Sequence, residues 1–199
     1  MNIEYELKFR ASPEQLEALA WAYSEKAHVI RMETGYYDTP RRILSARRLT
    51  LRRRMENGVP VCTLKCPAGE IARGEFECSC QTIQEAIPEL CKLSAMPELL
   101  ELTREGLEEV CGARFTRRAS ILAFPEFTAE LALDSGILTG GGREQPLYEC
   151  EVELKSGSSQ AMEAFAGELA AQYRLEPEPR SKFSRALALE RGEGHGTAG

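Results

Sequence analysis

From residue 3 to residue 10, Ile3, Tyr5, Leu7 and Phe9 alternate with Glu4, Glu6, Lys8 and Arg10. This period of two gives a strand one apolar and one charged face. Ser12, Pro13 and Gln15 follow at once. They supply an N-cap, a proline at the first helical position and a capping-box partner, opening an amphipathic helix that runs to about Ala27. The alternation recurs over 49–54, 61–65, 73–78, 114–121, 128–133 and 148–155, which predicts further strands. Asn57-Gly58, the stretch 67–69 and Gly140-Gly141-Gly142 carry hairpin turn chemistry, so neighbouring strands are expected to be antiparallel. Helices are predicted over 83–93, with Pro88 limiting or kinking the first of them, over 97–110 ended by Gly112, and over 159–173 and 182–190. They can cover the apolar face of the sheet, and Trp21 is expected to pack into the core from the first helix. Residues 1–190 read as one domain and 191–199 as a Gly-rich flexible tail.

Composition narrows the function. No apolar run approaches the ~20 residues of a membrane span, and charge from position 4 onward excludes the apolar centre of a secretory signal. A cytoplasmic protein without a membrane partner is expected. The seven cysteines form no C-x-x-C pair, which predicts reduced thiols rather than a disulfide framework or a ribbon-type zinc site. The net charge of -6 argues against a nucleic-acid polymer as partner, despite the run Arg47, Arg48, Arg52, Arg53 and Arg54. With only His28 and His195 present, catalysis must run on carboxylates, arginines, lysines and metal.

The charged faces carry the candidate chemistry. Glu149, Glu151 and Glu153 share one face, Glu75 and Glu77 another, Glu4 and Glu6 a third, and Glu130 shares its face with Asp134. Arg52 and Arg54 form a basic pair, with Lys65 and Arg118 on other strands. Like charges two residues apart on a strand stand roughly 6–7 Å from each other and repel wherever water is scarce. A hard divalent cation such as Mg²⁺ or Mn²⁺ takes carboxylate oxygens, and Arg or Lys takes phosphate oxygens. Both clusters therefore become favourable around a metal-bound polyphosphate. Gly140-Gly141-Gly142-Arg143 lacks the spacing of a phosphate-cradling loop.

The ordered set Glu4-x-Glu6-x-Lys8, Tyr36-Tyr37-Asp38-Thr39, Leu51-Arg52-Arg53-Arg54, Thr63-Leu64-Lys65, Glu75-Phe76-Glu77, Asp134-x-Gly136, Glu149-x-Glu151-x-Glu153 and Ser181-Lys182-x-x-Arg185 resembles the CYTH superfamily, the triphosphate tunnel metalloenzymes. The resemblance implies an α+β fold: an eight-stranded antiparallel β-barrel forming a tunnel, with helices packed outside. It implies phosphate ligands at Lys8, Arg52, Arg54, Lys65, Arg118, Lys182 and Arg185. It also implies a metal shell of Glu4, Glu6, Glu149, Glu151 and Glu153 for Mg²⁺ or Mn²⁺, and a catalytic set of Glu4, Glu6, Lys8, Lys65, Glu151 and Glu153. The family often has Lys-x-Arg where this chain reads Thr116-Arg117-Arg118. Alternation favours Arg118 inward, and a bulge would substitute Arg117. Residues 36–48 are expected to form a loop and short helix near a tunnel mouth. The implied activity is hydrolysis of a triphosphate-bearing small molecule, with inorganic triphosphate favoured. Thiamine triphosphatase, class IV adenylyl cyclase and a non-catalytic polyphosphate or nucleotide binder are the alternatives.

Overall fold

The computed structural model describes residues 2–3, 5–23, 26–67 and 73–192. Its elements run β1 (Asn2–Ile3), β2 (Glu6–Arg10), α1 (Pro13–Tyr23), β3 (His28–Asp38), α2 (Ile43–Ala46), β4 (Thr50–Glu56), β5 (Val59–Pro67), β6 (Arg73–Cys78), α3 (Ile83–Ser94), α4 (Glu98–Leu102), β7 (Glu108–Ala123), β8 (Phe127–Gly140), β9 (Arg143–Gly157), α5 (Ser159–Tyr173), β10 (Glu176–Pro177) and α6 (Lys182–Arg191). The expected tail falls mostly on 193–199, outside the described residues.

All strand pairs are antiparallel, in the order β1-β6-β5-β4-β3-β7-β8-β9-β2-β10. The N-terminal segment stands at both ends of this order, because β1 pairs with β6 while β2 pairs with β9. One short stretch of chain thus bridges the two ends of a sheet of long strands, the connection a barrel requires.

Two apolar clusters lie on the outer face. One joins Leu16 and Leu19 of α1 and Met162, Ala166 and Leu169 of α5 to Phe9, Leu131, Leu133, Cys150 and Val152. The other joins Ile83, Ile87 and Leu90 of α3 and Leu99 of α4 to Leu51, Cys62 and Leu64. A third cluster is different in kind. Tyr36, Ala113, Leu138 and Leu147 share strand faces with the interior charged residues, and Ala186, Leu187 and Leu189 of α6 pack on them. Helix α6 therefore plugs one end of the barrel interior. The fit needs Gly140, where a Cβ would strike the Ala186 carbonyl and lie 2.8 Å from Glu190 N. No described helix is long and apolar enough to cross a membrane.

Four expectations change. The helix expected to run to about Ala27 is described as Pro13–Tyr23, and Lys26 and Ala27 lie outside it. The helix expected over 97–110 ends at Leu102: the Thr103 hydroxyl donates back to the Leu99 carbonyl at 2.8 Å, Gly106 takes φ +99°, and Glu108 already belongs to β7. Strand β3 occupies a stretch given no strand and takes in 36–38, while Ile43–Ala46 is the short helix expected within 36–48. Trp21 is 93% exposed rather than buried. At 100° per residue it lies about 140° around α1 from Leu16 and 200° from Leu19, which take the core-facing side.

Candidate active site

The barrel interior is lined by the charged faces, and register decides which charges meet. Along β9, Glu149, Glu151 and Glu153 face Asp134, Ala132 and Glu130 of β8 on one side, and Arg10, Lys8 and Glu6 of β2 on the other. Asp134 in turn faces Arg117 of β7. Side-chain exposure grades along the barrel: Asp134 and Glu149 are fully buried, Glu151 is 10% exposed, and Glu130, Glu153 and Glu6 rise from 22% to 32%. The buried end is the one that α6 plugs.

At that end Asp134, Glu149 and Glu151 bring one oxygen each within 4.8 Å of the others. Three cations hold them. Ser181 caps α6 by accepting from Ser184 N, which fixes the first turn so that Lys182 points inward. Its Nζ lies 2.8 Å from Asp134, 2.8 Å from Glu149 and 2.6 Å from Glu151. Arg117 grips Asp134 with Nε and Nη2, both at 2.8 Å, and also bonds Glu151. Arg185, one turn along α6, bonds Glu149.

These contacts divide the carboxyl groups. Burial pushes Glu149 up to about 7, with the neighbouring Glu151 adding to the rise. Against its own burial, Lys182 and Arg117 hold Glu151 well below the ordinary range. Burial also opposes the charge on Lys182, yet Asp134, Glu151 and Glu149 together hold its pKa above the usual lysine value. Like charges in one site separate in this way because they cannot all ionise equally well in low dielectric.

The facing wall is basic. Arg52 and Arg54 of β4 and Lys65 of β5 point inward, where Arg52 Nη2 and Lys65 Nζ contact Glu75 at 2.8 and 3.1 Å. Glu77 lies 3.6 Å from Arg52 and 3.7 Å from Arg54. Burial and the neighbouring Arg52 lower the pKa of Arg54. Among the described residues, the Nε atoms of Arg52 and Arg54 on this wall, and of Arg185 on α6, are buried with no hydrogen-bond partner. A buried guanidinium N–H left unpaired costs about 1–3 kcal/mol or more, so this wall has unmet capacity for an anion. The two walls share one space, since the buried Tyr36 hydroxyl lies in the fields of Arg52, Lys182 and Arg54 together.

Of the residues singled out by sequence, Glu6, Lys8, Arg52, Arg54, Lys65, Glu149, Glu151, Glu153, Lys182 and Arg185 line or reach this interior. Only Glu149 and Glu151 of the expected metal shell converge. Glu6 and Glu153 form a separate row nearer the mouth, bonded to Lys8 at 3.0 Å and Lys155 at 2.9 Å, and Glu4 lies outside the described residues. Arg118 is corrected: it points outward and pairs with Glu17 at 3.1 Å. Arg117 is the inward residue without any bulge at that point, because register with Asp134 puts the odd-numbered face of β7 inside. Two groups were missed as site residues. Asp134, noted in a motif and on a shared face with Glu130 but not as a ligand, completes the carboxylate trio, and Glu75 with Glu77 are the counter-ions of the basic wall.

Three hard oxygen donors at this spacing fit a divalent cation in kind, and the Lys182 ammonium places a single positive charge among the same oxygens. The CYTH domain model matches residues 2–187. An inorganic triphosphatase from Haemophilus influenzae is 28% identical over 194 residues, which are 94% of this chain and 54% of that protein. The chain thus spans about half the length of the curated relative it matches. Among solved structures, a candidate adenylate cyclase from Bacillus halodurans superposes with a TM-score of 0.62 at 18% identity, covering 90% of this chain and 94% of the other. A Hippeastrum protein, first assigned as an adenylyl cyclase and described as having a dominant triphosphatase activity, gives 0.62 at 19% identity, covering 96% and 97%. These structures share the fold, and with a family match over nearly its whole length the chain belongs to the CYTH domain family.

Proposed function

We propose that the protein is a divalent-metal-dependent hydrolase that releases the terminal phosphate of inorganic triphosphate inside the barrel. The observation that carries this reading is the pairing, in one interior, of buried guanidinium Nε atoms that find no partner among the described residues and a converging carboxylate trio. A polyphosphate supplies the anionic oxygens that the first lacks. Asp134, Glu149 and Glu151 would hold Mg²⁺ or Mn²⁺, which when bound neutralises phosphate charge and polarises water.

The remaining chemistry belongs to the chain's own side chains. Arg52, Arg54 and Lys65 bind phosphate oxygens from one wall, while Arg117, Lys182 and Arg185 bind from the other and balance charge as the phosphoryl group leaves. Lys8 binds nearer the mouth. Glu6 and Glu153, outside the buried trio, accept the proton of the attacking water. Inorganic triphosphate is favoured over an organic triphosphate because the candidate stacking rings are already engaged: Tyr36 packs on Phe183 with centroids 5.0 Å apart, and the Tyr37 hydroxyl is tied to Glu109 at 3.2 Å.

Phosphate release from inorganic triphosphate, thiamine triphosphate and ATP, each with Mg²⁺, Mn²⁺ or chelator, tests the proposal. Metal-dependent release from inorganic triphosphate ahead of the others is expected. Selective turnover of an organic triphosphate overturns the substrate assignment, and no release from any of them overturns the hydrolase.

A further inference from the structure

The outward face of β5 and β6 carries chemistry that this reaction does not use. Cys62, Cys66, Cys78 and Cys80 all join the apolar cluster beneath α3. Cys62 and Cys78 are register partners, and the Sγ atoms of Cys78 and Cys80 lie 3.9 Å apart. Cys62 is buried, whereas Cys78 and Cys80 are both partly exposed. Among the described residues no three thiols converge to metal-ligand spacing.

We propose that Cys78 and Cys80 form a reversible dithiol site, oxidised by hydroperoxides to a disulfide that spans a single intervening residue. Cys78 is the last residue of β6 and Cys80 lies just past the strand; even a fully extended chain separates Cα atoms two residues apart by ~6.6 Å, at the upper edge of the ~4.4–6.8 Å that a disulfide spans. The bond forms with a slight contraction of the chain. In the first step the Cys80 thiolate attacks the peroxide; the S–O bond forms, the O–O bond breaks, and the alkoxide or hydroxide leaves and takes up a proton. In the second, the Cys78 sulfur attacks the sulfenic sulfur. The S–S bond forms, the S–O bond breaks, and the Cys78 proton leaves with the hydroxyl as water. Two thiols are oxidised and one hydroperoxide is reduced, and a thiol reductant reverses the change. Burial, reinforced by the adjacent Cys80 thiol, pushes Cys78 up to about 12, which suits the partner that keeps its proton until the second step.

The site is mechanically tied to the basic wall. Glu77, just before Cys78, accepts from the Thr63 hydroxyl at 2.9 Å and lies beside Arg52 and Arg54. Just after Cys80, the Gln81 carbonyl accepts from Arg53 Nε at 2.7 Å. Contraction across 78–80 pulls on both anchors of β4, so oxidation weakens phosphate binding; this consequence rests on the function proposed above.

The test treats the full chain with hydrogen peroxide, blocks remaining thiols by alkylation and maps tryptic peptides. Peptide 74–92 holds Cys78, Cys80 and Cys91, while Cys62 falls on peptide 55–65. The expected product is peptide 74–92 short of two hydrogens, with Cys91 alkylated, reversed by dithiothreitol and absent in Cys80→Ser. In the oxidised protein KM for inorganic triphosphate rises about tenfold, the size of one lost charge-assisted contact, and recovers on reduction. Full alkylation of all three thiols after peroxide, sulfinic acid in their place, or a link from Cys62 overturns the site. A mapped disulfide with unchanged KM overturns its coupling to the barrel. Absence of turnover in the reduced protein overturns the hydrolase reading alone, because the peptide map does not depend on activity.

Discussion

Replacing Lys182 with methionine probes the centre of the charge network. Its Nζ contacts Asp134, Glu149 and Glu151 at 2.6–2.8 Å. Removing the ammonium leaves three buried carboxyl groups with Arg117 and Arg185 as their remaining cationic partners. Breaking a buried pair from one side costs about 3–5 kcal/mol. In a protein of this size each kcal/mol moves Tm by ~2–4 °C, so the loss is about 6–20 °C. Proton uptake by Glu149, already pushed up to about 7, relieves part of the penalty, which makes the loss larger at pH 8 than at pH 6. Mg²⁺ should raise Tm more in the variant than in the wild type, because the ion no longer competes with the ammonium for the same oxygens. Circular-dichroism melts at both pH values, with and without Mg²⁺, read all three effects. A Tm within about 2 °C of wild type, together with an unchanged response to Mg²⁺, would refute the reasoning.

Further outcomes follow from the same geometry. Arg117→Gln should lower kcat/KM for inorganic triphosphate by about 100-fold or more, while Arg118→Gln leaves it within about twofold; equal effects would contradict the inward assignment of Arg117. A carboxyl group whose pKa is raised on folding stabilises the fold below its ordinary 4.5 and loses that contribution as pH climbs to about 7. Metal affinity must move the opposite way, strengthening as pH rises through about 7, and calorimetric titration of Mg²⁺ at pH 6 and pH 8 checks the sign. Gly136→Ala should destabilise by about 2 kcal/mol or more, since its Cβ would clash with the Arg114 carbonyl and lie 2.5 Å from Phe115 Cα; urea denaturation measures it.

Local signals carried much of the architecture. Period-two alternation located β2 and the strands of the second half, and the helices predicted over 83–93, 159–173 and 182–190 match α3, α5 and α6 within a residue. Failures arose where apolar residues face inward: the interior face of β7 was read as an outer one, and β3 was given no strand at all. Strand β3 turns Ile30, Met32, Thr34 and Tyr36 to the interior and Arg31 and Glu33 outward, the reverse of the apolar-out pattern of β2. Phe115 and Ala119 made the face of Arg117 look like an outer one for the same reason. Helix α6 explains Tyr36 and Phe115, which pack with it because a barrel plugged at one end needs apolar residues inside that end. Asp134 eluded recognition as a ligand because its partners are non-local. Its neighbours Ala132 and Leu133 give it no acidic repeat, and only the register of β7, β8 and β9 brings Arg117, Glu149 and Glu151 to it.

The most direct test is steady-state phosphate release from inorganic triphosphate as Mg²⁺ is titrated from chelator upward, with Glu151→Gln and Glu153→Gln beside the wild type. Wild-type turnover should rise from background with metal, and each variant should lose about 100-fold or more while retaining the folded far-ultraviolet spectrum. Turnover that persists in chelator, or that survives in Glu151→Gln, would contradict catalysis by a metal held on the buried carboxylates.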